Sequence, residues 1–94
     1  MNNFGDLIRA KREEKEMLLR HLAAELDIDT AQLSKMERGE RTARREHVVE
    51  LTKILSLDKE ETLSIWLADQ ICLLLAKEKQ ALRALKLAET TLSK

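Results

Sequence analysis

The sequence has no proline, two glycines and one cysteine, and only 2% of its 94 residues are aromatic. Strands favour β-branched and aromatic side chains, so this scarcity speaks against a sheet. The abundance of Leu, Ala, Glu, Lys and Arg speaks for helices. A single cysteine excludes an internal disulfide and a cysteine-built zinc site, and suits a reducing compartment. There is no excess of either charge: Lys plus Arg and Asp plus Glu number 17 each. That balance excludes a protein that coats nucleic acid indiscriminately, but not one whose basic residues gather on one side. Residues 1–6 lack a basic start followed by an apolar run, so no signal peptide is expected. The most apolar stretch, residues 63–76, is interrupted by Asp69 and Gln70 and is too short for a bilayer. A soluble, cytoplasmic protein with no membrane contact is the expectation. His21 and His47 have no Cys, Asp or His at metal-ligand spacing. With no nucleophile–base pair and no phosphate-cradling glycine loop, neither an enzyme nor a bound cofactor is expected.

What is present is helical periodicity. The length fits one domain, in which roughly two thirds of the unfolded chain's surface can be buried. Phe4, Leu7, Ile8 and Lys11 recur at helical spacing and predict a first helix over residues 3–16. Leu19, Leu22, Ala23 and Leu26 predict a short second helix, interrupted at Asp27-Ile28-Asp29. Asp29 is placed to cap a third helix over 30–38, which Gly39 terminates. A polar turn, residues 40–43, leads to a fourth helix carrying Val48, Leu51, Ile54 and Leu55. Asp58 is placed to cap a fifth. From Leu63 the pattern widens. Leu63, Trp66, Leu67, Gln70, Ile71, Leu74 and Leu75 form one stripe, while Ile65, Ala68, Cys72 and Leu73 form a second. A helix apolar on two sides must bury both. The simplest arrangement packs one side on the domain and the other on a second copy. Cys72 reads as a small buried apolar group, and Trp66 as a core or interface anchor. Ala81, Leu85, Ala88 and Leu92 then make a last amphipathic helix, fit to pack on a partner or back on the fifth.

The informative unit runs from Leu19 to Arg38. Two short helices crossing steeply need a small residue where their backbones approach, and Ala23 is there. They then need a tight turn and an apolar plug at the corner, and Ile28 is there. This spacing resembles the phage repressor and Cro family, the XRE-type helix-turn-helix regulators. Ile8-Arg9 with Arg12, Leu22-Ala23, the run from Leu33 to Gly39, and Leu51 to Leu57 follow that family's order and spacing over residues 4–63. The resemblance implies an all-α fold: a five-helix repressor-like domain over residues 1–62, with residues 63–94 as a helical extension for dimerisation.

The resemblance also implies roles. Arg12 and Glu37 would form a partly buried ion pair tying the first helix to the third. The third helix would read bases through Thr30, Ala31, Gln32, Ser34 and Lys35, whose amide, ammonium and methyl groups suit adenine, guanine and thymine edges. Arg41, Thr42, Arg44 and Arg45 would hold phosphates, setting register and salt dependence; Arg38, in the same basic run, and Arg20, near the start of the second helix, join them on their positions in this chain. Apart from the resemblance, the second apolar side of the fifth helix, Ile65, Ala68, Cys72 and Leu73, with Trp66 as anchor, would form the dimer interface. The partners implied are double-stranded DNA on an inverted repeat and a second copy of the chain. The function would be that of a restriction–modification controller or a phage-type repressor. An antitoxin-like module that binds a protein partner through the C-terminal helices is the alternative.

Two departures from the family pattern stand out. Leu18 and Leu19 occupy positions where the family usually has a Ser or Thr cap and a phosphate-gripping Gln, so a cap and a contact are lost. Arg20 lies near enough to substitute. Asp27 replaces the glycine of the turn, and aspartate tolerates the left-handed conformation better than most residues. Met17, Leu18 and Leu19 together read as core, or as an apolar patch for another protein.

Overall fold

A computed structural model describes residues 3–94, in which six helices follow one another. They are α1 (Asn3–Glu14), α2 (Leu19–Glu25), α3 (Thr30–Glu37), α4 (Arg45–Ile54), α5 (Lys59–Leu75) and α6 (Ala81–Leu92). No strand occurs among the described residues. The expectation of an all-helical chain is met. Met1 and Asn2, part of the segment read as lacking a signal sequence, lie outside the described residues.

The first four helices end alike, and these endings set the course of the chain. Each is followed by a left-handed residue: Glu16 (φ 56°), Asp27 (φ 57°), Gly39 (φ 76°) and Ser56 (φ 55°). The amide of the next residue then reaches back to a carbonyl in the last turn. Met17 N–H donates to Arg12 O at 3.0 Å, Ile28 to Ala23 at 3.1 Å, Glu40 to Lys35 at 2.8 Å and Leu57 to Thr52 at 2.8 Å. The left-handed residue's own amide makes the second bond of the motif, to Glu13, Ala24, Met36 and Lys53 respectively. This double closure satisfies carbonyls that a helix end otherwise leaves open. The apolar residue after three of the closures, Met17, Ile28 or Leu57, packs against the core. α1 therefore stops two residues before the expected Glu16, which is spent on the turn. α3 stops at Glu37, with Arg38 as its C-terminal cap.

The core joins the first four helices. Phe4 and Ile8 come from α1, Leu22, Ala23 and Leu26 from the α2 segment, Leu33 and Met36 from α3, and Val48, Leu51 and Leu55 from the α4 segment. Ala43, expected within a polar turn, is buried as well. α5 then lies across α1 and α4. Thr62 is fully enclosed, and Leu63, Ile65 and Trp66 pack on the core's edge. Asp69 adds a polar fastening: its carboxylate accepts from Phe4 N–H at 2.8 Å and Asn3 N–H at 3.3 Å. An anion at the first free amides of a helix both satisfies them and opposes the helix dipole favourably. In effect α5 caps α1.

Past Asp69 the fold changes character. Ile71, Leu73 and Leu74 are exposed, as are Leu82, Leu85, Leu87 and Leu92 of α6, which buries none of its residues. The expectation that α5 packs one whole side on the domain is corrected. Its division is lengthwise, with the first half seated and the second half free of the core. Cys72, read as a small buried group, is exposed in the single chain. Ala68 and Leu73 are exposed too, whereas Ile65 and Trp66 are half-buried against their own domain. The reason is reach: α1 begins against Asp69, and past that point α5 faces α6 rather than the core. Ile71, Leu74, Leu75, Leu85, Ala88 and Leu92 line an open apolar groove of about 550 Å³ between α5 and α6.

Candidate nucleic-acid interface

The local chemistry of α2 and α3 explains their geometry. Leu18 occupies the N-cap of α2 in an extended conformation and offers no side-chain acceptor. The helix-start amides thus lack the hydroxyl or carboxylate that ordinarily satisfies them. Leu18 is 49% exposed, while Met17 and Leu19 pack against the core. α2 ends at Asp27, whose positive φ turns the chain sharply, and Ile28 closes the corner half-buried. Asp29 then caps α3, its Oδ1 accepting from Gln32 N–H at 2.7 Å. Ala23 and Leu33, both enclosed, lie between the two helices and the rest of the core. α3 is thus a short rod with a fixed start, a fixed end at Gly39 and a buried inner side of Leu33, Met36 and Glu37.

Its outer side is open. Thr30, Ala31 and Lys35 are exposed, and Gln32 and Ser34 are half-buried. These five are the residues expected to read bases; Ala31 and Lys35 point away from Leu33 and Met36, while Gln32 and Ser34 flank the buried side. Arg20 is exposed near the start of α2, and Arg38, Arg41, Thr42, Arg44 and Arg45 are exposed along the turn that follows α3. Arg44 is the N-cap of α4 and Arg45 its first residue.

Two acidic residues in this stretch, Glu37 and Glu40, are paired with arginines. Arg12 Nε donates to Glu37 Oε2 at 2.8 Å, and a second guanidinium nitrogen donates to Oε1 at 3.1 Å. The third donates to the carbonyl of Met17 at 2.9 Å. One guanidinium therefore ties α1 to α3 and to the entry of α2. The hydrogen bond with Glu37 raises the Arg12 pKa further, against the opposing cost of burial. Side-chain exposures of 13% and 6% place this pair inside the molecule, so Glu37 does not dilute the field in front of α3. Glu40 does lie on the surface, where its carboxylate meets Arg38 at 2.8 Å. An exposed pair of this kind is worth about 0–1 kcal/mol, so Arg38 is readily available to a competing anion.

The helix-turn-helix domain model matches residues 3–64, more than half of the sequence. The chain belongs to the helix-turn-helix domain family. Neither a curated protein nor a solved structure matches it. A helix-turn-helix domain is a DNA-binding unit of transcription regulators, and α2 and α3 lie within the matched residues. Among the described residues, no helix is long and apolar enough to cross a membrane, and no cluster of His, Cys, Asp and Glu is placed to hold a metal ion.

Three features of the domain lay outside the sequence reading. Ala43 is a buried plug in the turn, Asp69 caps α1, and Trp66 donates its indole N–H to Ala43 O at 3.0 Å. The guanidinium of Arg45 also lies over the Trp66 ring, 5.4 Å from its centre. A lone tryptophan beside a basic turn carries no signal of this in sequence, because the partners are more than twenty residues apart.

Proposed function

We propose that this helix-turn-helix protein is a sequence-specific transcriptional regulator that binds an inverted-repeat operator as a homodimer. α3 enters the major groove. Gln32 pairs with adenine, Lys35 donates to guanine, and Thr30, Ala31 and Ser34 fit the neighbouring edges. Arg20, Arg38, Arg41, Thr42, Arg44 and Arg45 hold phosphates on either side. Residues 63–94 form the dimerisation extension, setting two α3 helices about 34 Å apart to match one turn of DNA. The observation that carries this reading is the pairing of a braced, outward α3 with a run of exposed arginines, while Glu37 is withdrawn into an internal ion pair. A role as a restriction–modification controller or phage-type repressor is the corresponding biological setting.

A second reading is favoured by the exposed leucines of α5 and α6. In it the chain is an antitoxin-like module that binds another protein through those helices, with DNA contact secondary.

Titration of the full chain against labelled duplexes over a salt series tests the first reading. A regulator loses affinity steeply with salt, by about 0.9 log units per log unit of salt for each phosphate held. Selection from random duplexes returns an inverted repeat. Gln32→Ala relaxes preference at one base pair, at a cost of about 1–3 kcal/mol. A flat salt response with no enriched sequence would leave the protein-binding reading standing.

A further inference from the structure

Residues 39–44, between α3 and α4, belong to no helix and carry Arg41 and Arg44, with Arg38 and Arg45 at their borders. This segment borders a cleft of about 290 Å³ whose lining includes Phe4, Met36 and Trp66 together with Arg38, Arg41 and Thr42. A segment beside a cleft must be held at its ends. At the first end, the amides of Gly39 and Glu40 bond back to α3. At the second, the Ala43 methyl is buried and the Ala43 carbonyl accepts the Trp66 indole N–H at 3.0 Å. The same indole ring carries the Arg45 guanidinium over its face. One side chain of α5 thus fixes both the backbone at residue 43 and the head group at residue 45. A cation–π contact draws on the charge of the guanidinium and leaves N–H donors for an anion.

We infer that Trp66 is a positioning residue for DNA backbone anchoring: it clamps the 39–44 turn and presents Arg45, so that the arginines meet phosphates already in place. This rests on the DNA-binding reading above. Its physical basis is preorganisation. An arginine on an unfixed turn loses conformational freedom when it binds, whereas one held beforehand has lost it during folding. Trp66 lies where α5 leaves the core, so whatever steadies α5 also steadies the anchors.

The test uses the full chain, labelled duplexes, and the Trp66→Phe and Trp66→Leu variants, at a temperature where circular dichroism shows each fully folded. Phe keeps a ring beneath Arg45 but removes the N–H donor, and Leu removes both. Trp66→Phe is expected to weaken binding about threefold to tenfold, the effect of one lost hydrogen bond, and equally on preferred and random duplexes. Trp66→Leu weakens it further. The ranking of sequences and the oligomeric mass by light scattering stay unchanged, and amide exchange quickens across residues 39–48 while other segments keep their rates. A merely structural role would instead raise exchange everywhere. If the Trp66→Leu variant does not fold, Trp66→Phe alone decides. Wild-type affinity in a folded Trp66→Phe overturns the inference and leaves the DNA-binding reading intact. A wild-type chain without salt-dependent DNA affinity overturns both.

Discussion

Replacing Arg12 by methionine removes the guanidinium that reaches Glu37 from α1, and the consequence follows from the geometry. Two hydrogen bonds at 2.8 and 3.1 Å are stripped from a carboxylate whose side chain is 6% exposed. The Met17 carbonyl also loses its 2.9 Å donor, loosening the entry to α2. Breaking one side of a buried pair costs about 3–5 kcal/mol. A protein of this length has roughly 5–14 kcal/mol in all, so Arg12→Met consumes a large share of it. At about 4–8 °C per kcal/mol for so small a domain, the melting temperature falls by roughly 12–40 °C. Glu37→Gln is milder, because the Arg12 guanidinium keeps Met17 O and its 13% exposure gives it access to water. The double change Arg12→Met with Glu37→Met recovers most of the loss, since a pair of apolar groups of similar volume leaves no buried charge. Thermal and urea unfolding of wild type, Arg12→Met, Glu37→Met and the double variant, followed by circular dichroism at about 222 nm, gives the coupling directly. Additive single losses, or an Arg12→Met protein that melts within a few degrees of wild type, would refute the argument that this pair locks α1 to α3.

Three further outcomes are expected. Leu18→Ser supplies the missing acceptor at the start of α2 and gives up only a half-exposed side chain; urea midpoints should rise by the equivalent of about 1 kcal/mol, and no gain would mean that the amides there are otherwise satisfied. Ser56→Gly relieves a left-handed residue at φ 55°, and the relief exceeds glycine's greater entropy loss by roughly 0.5–1 kcal/mol, readable in the same melts. Asp69→Ala uncaps α1 and unfastens α5 together; it should lower stability by about 1 kcal/mol and quicken amide exchange at the start of α1 before the rest of the core.

How much of this was legible beforehand depended on distance along the chain. The unit of α2 and α3 could be read because each decisive residue acts on a near neighbour. Asp29 caps an amide three residues on, Asp27 turns a helix end, and Ile28 bonds back to Ala23 within the same turn. Glu16 and Ser56 make the same kind of turn as Asp27, but neither residue type announces a left-handed conformation. Their place shows only once the helices are seen to end there.

The sequence by itself determined the helical class, the order of the helices and the side of each of the first four that turns inward, because periodicity and capping operate within a few residues. Only the tertiary structure decided where along α5 the core stops, that Asp69 closes the start of α1, and that Trp66 reaches the carbonyl of Ala43. Those are contacts between segments far apart in the chain. A hydrophobic stripe records which side of a helix avoids water, but the length of it that finds a neighbour is set by where the other helices end.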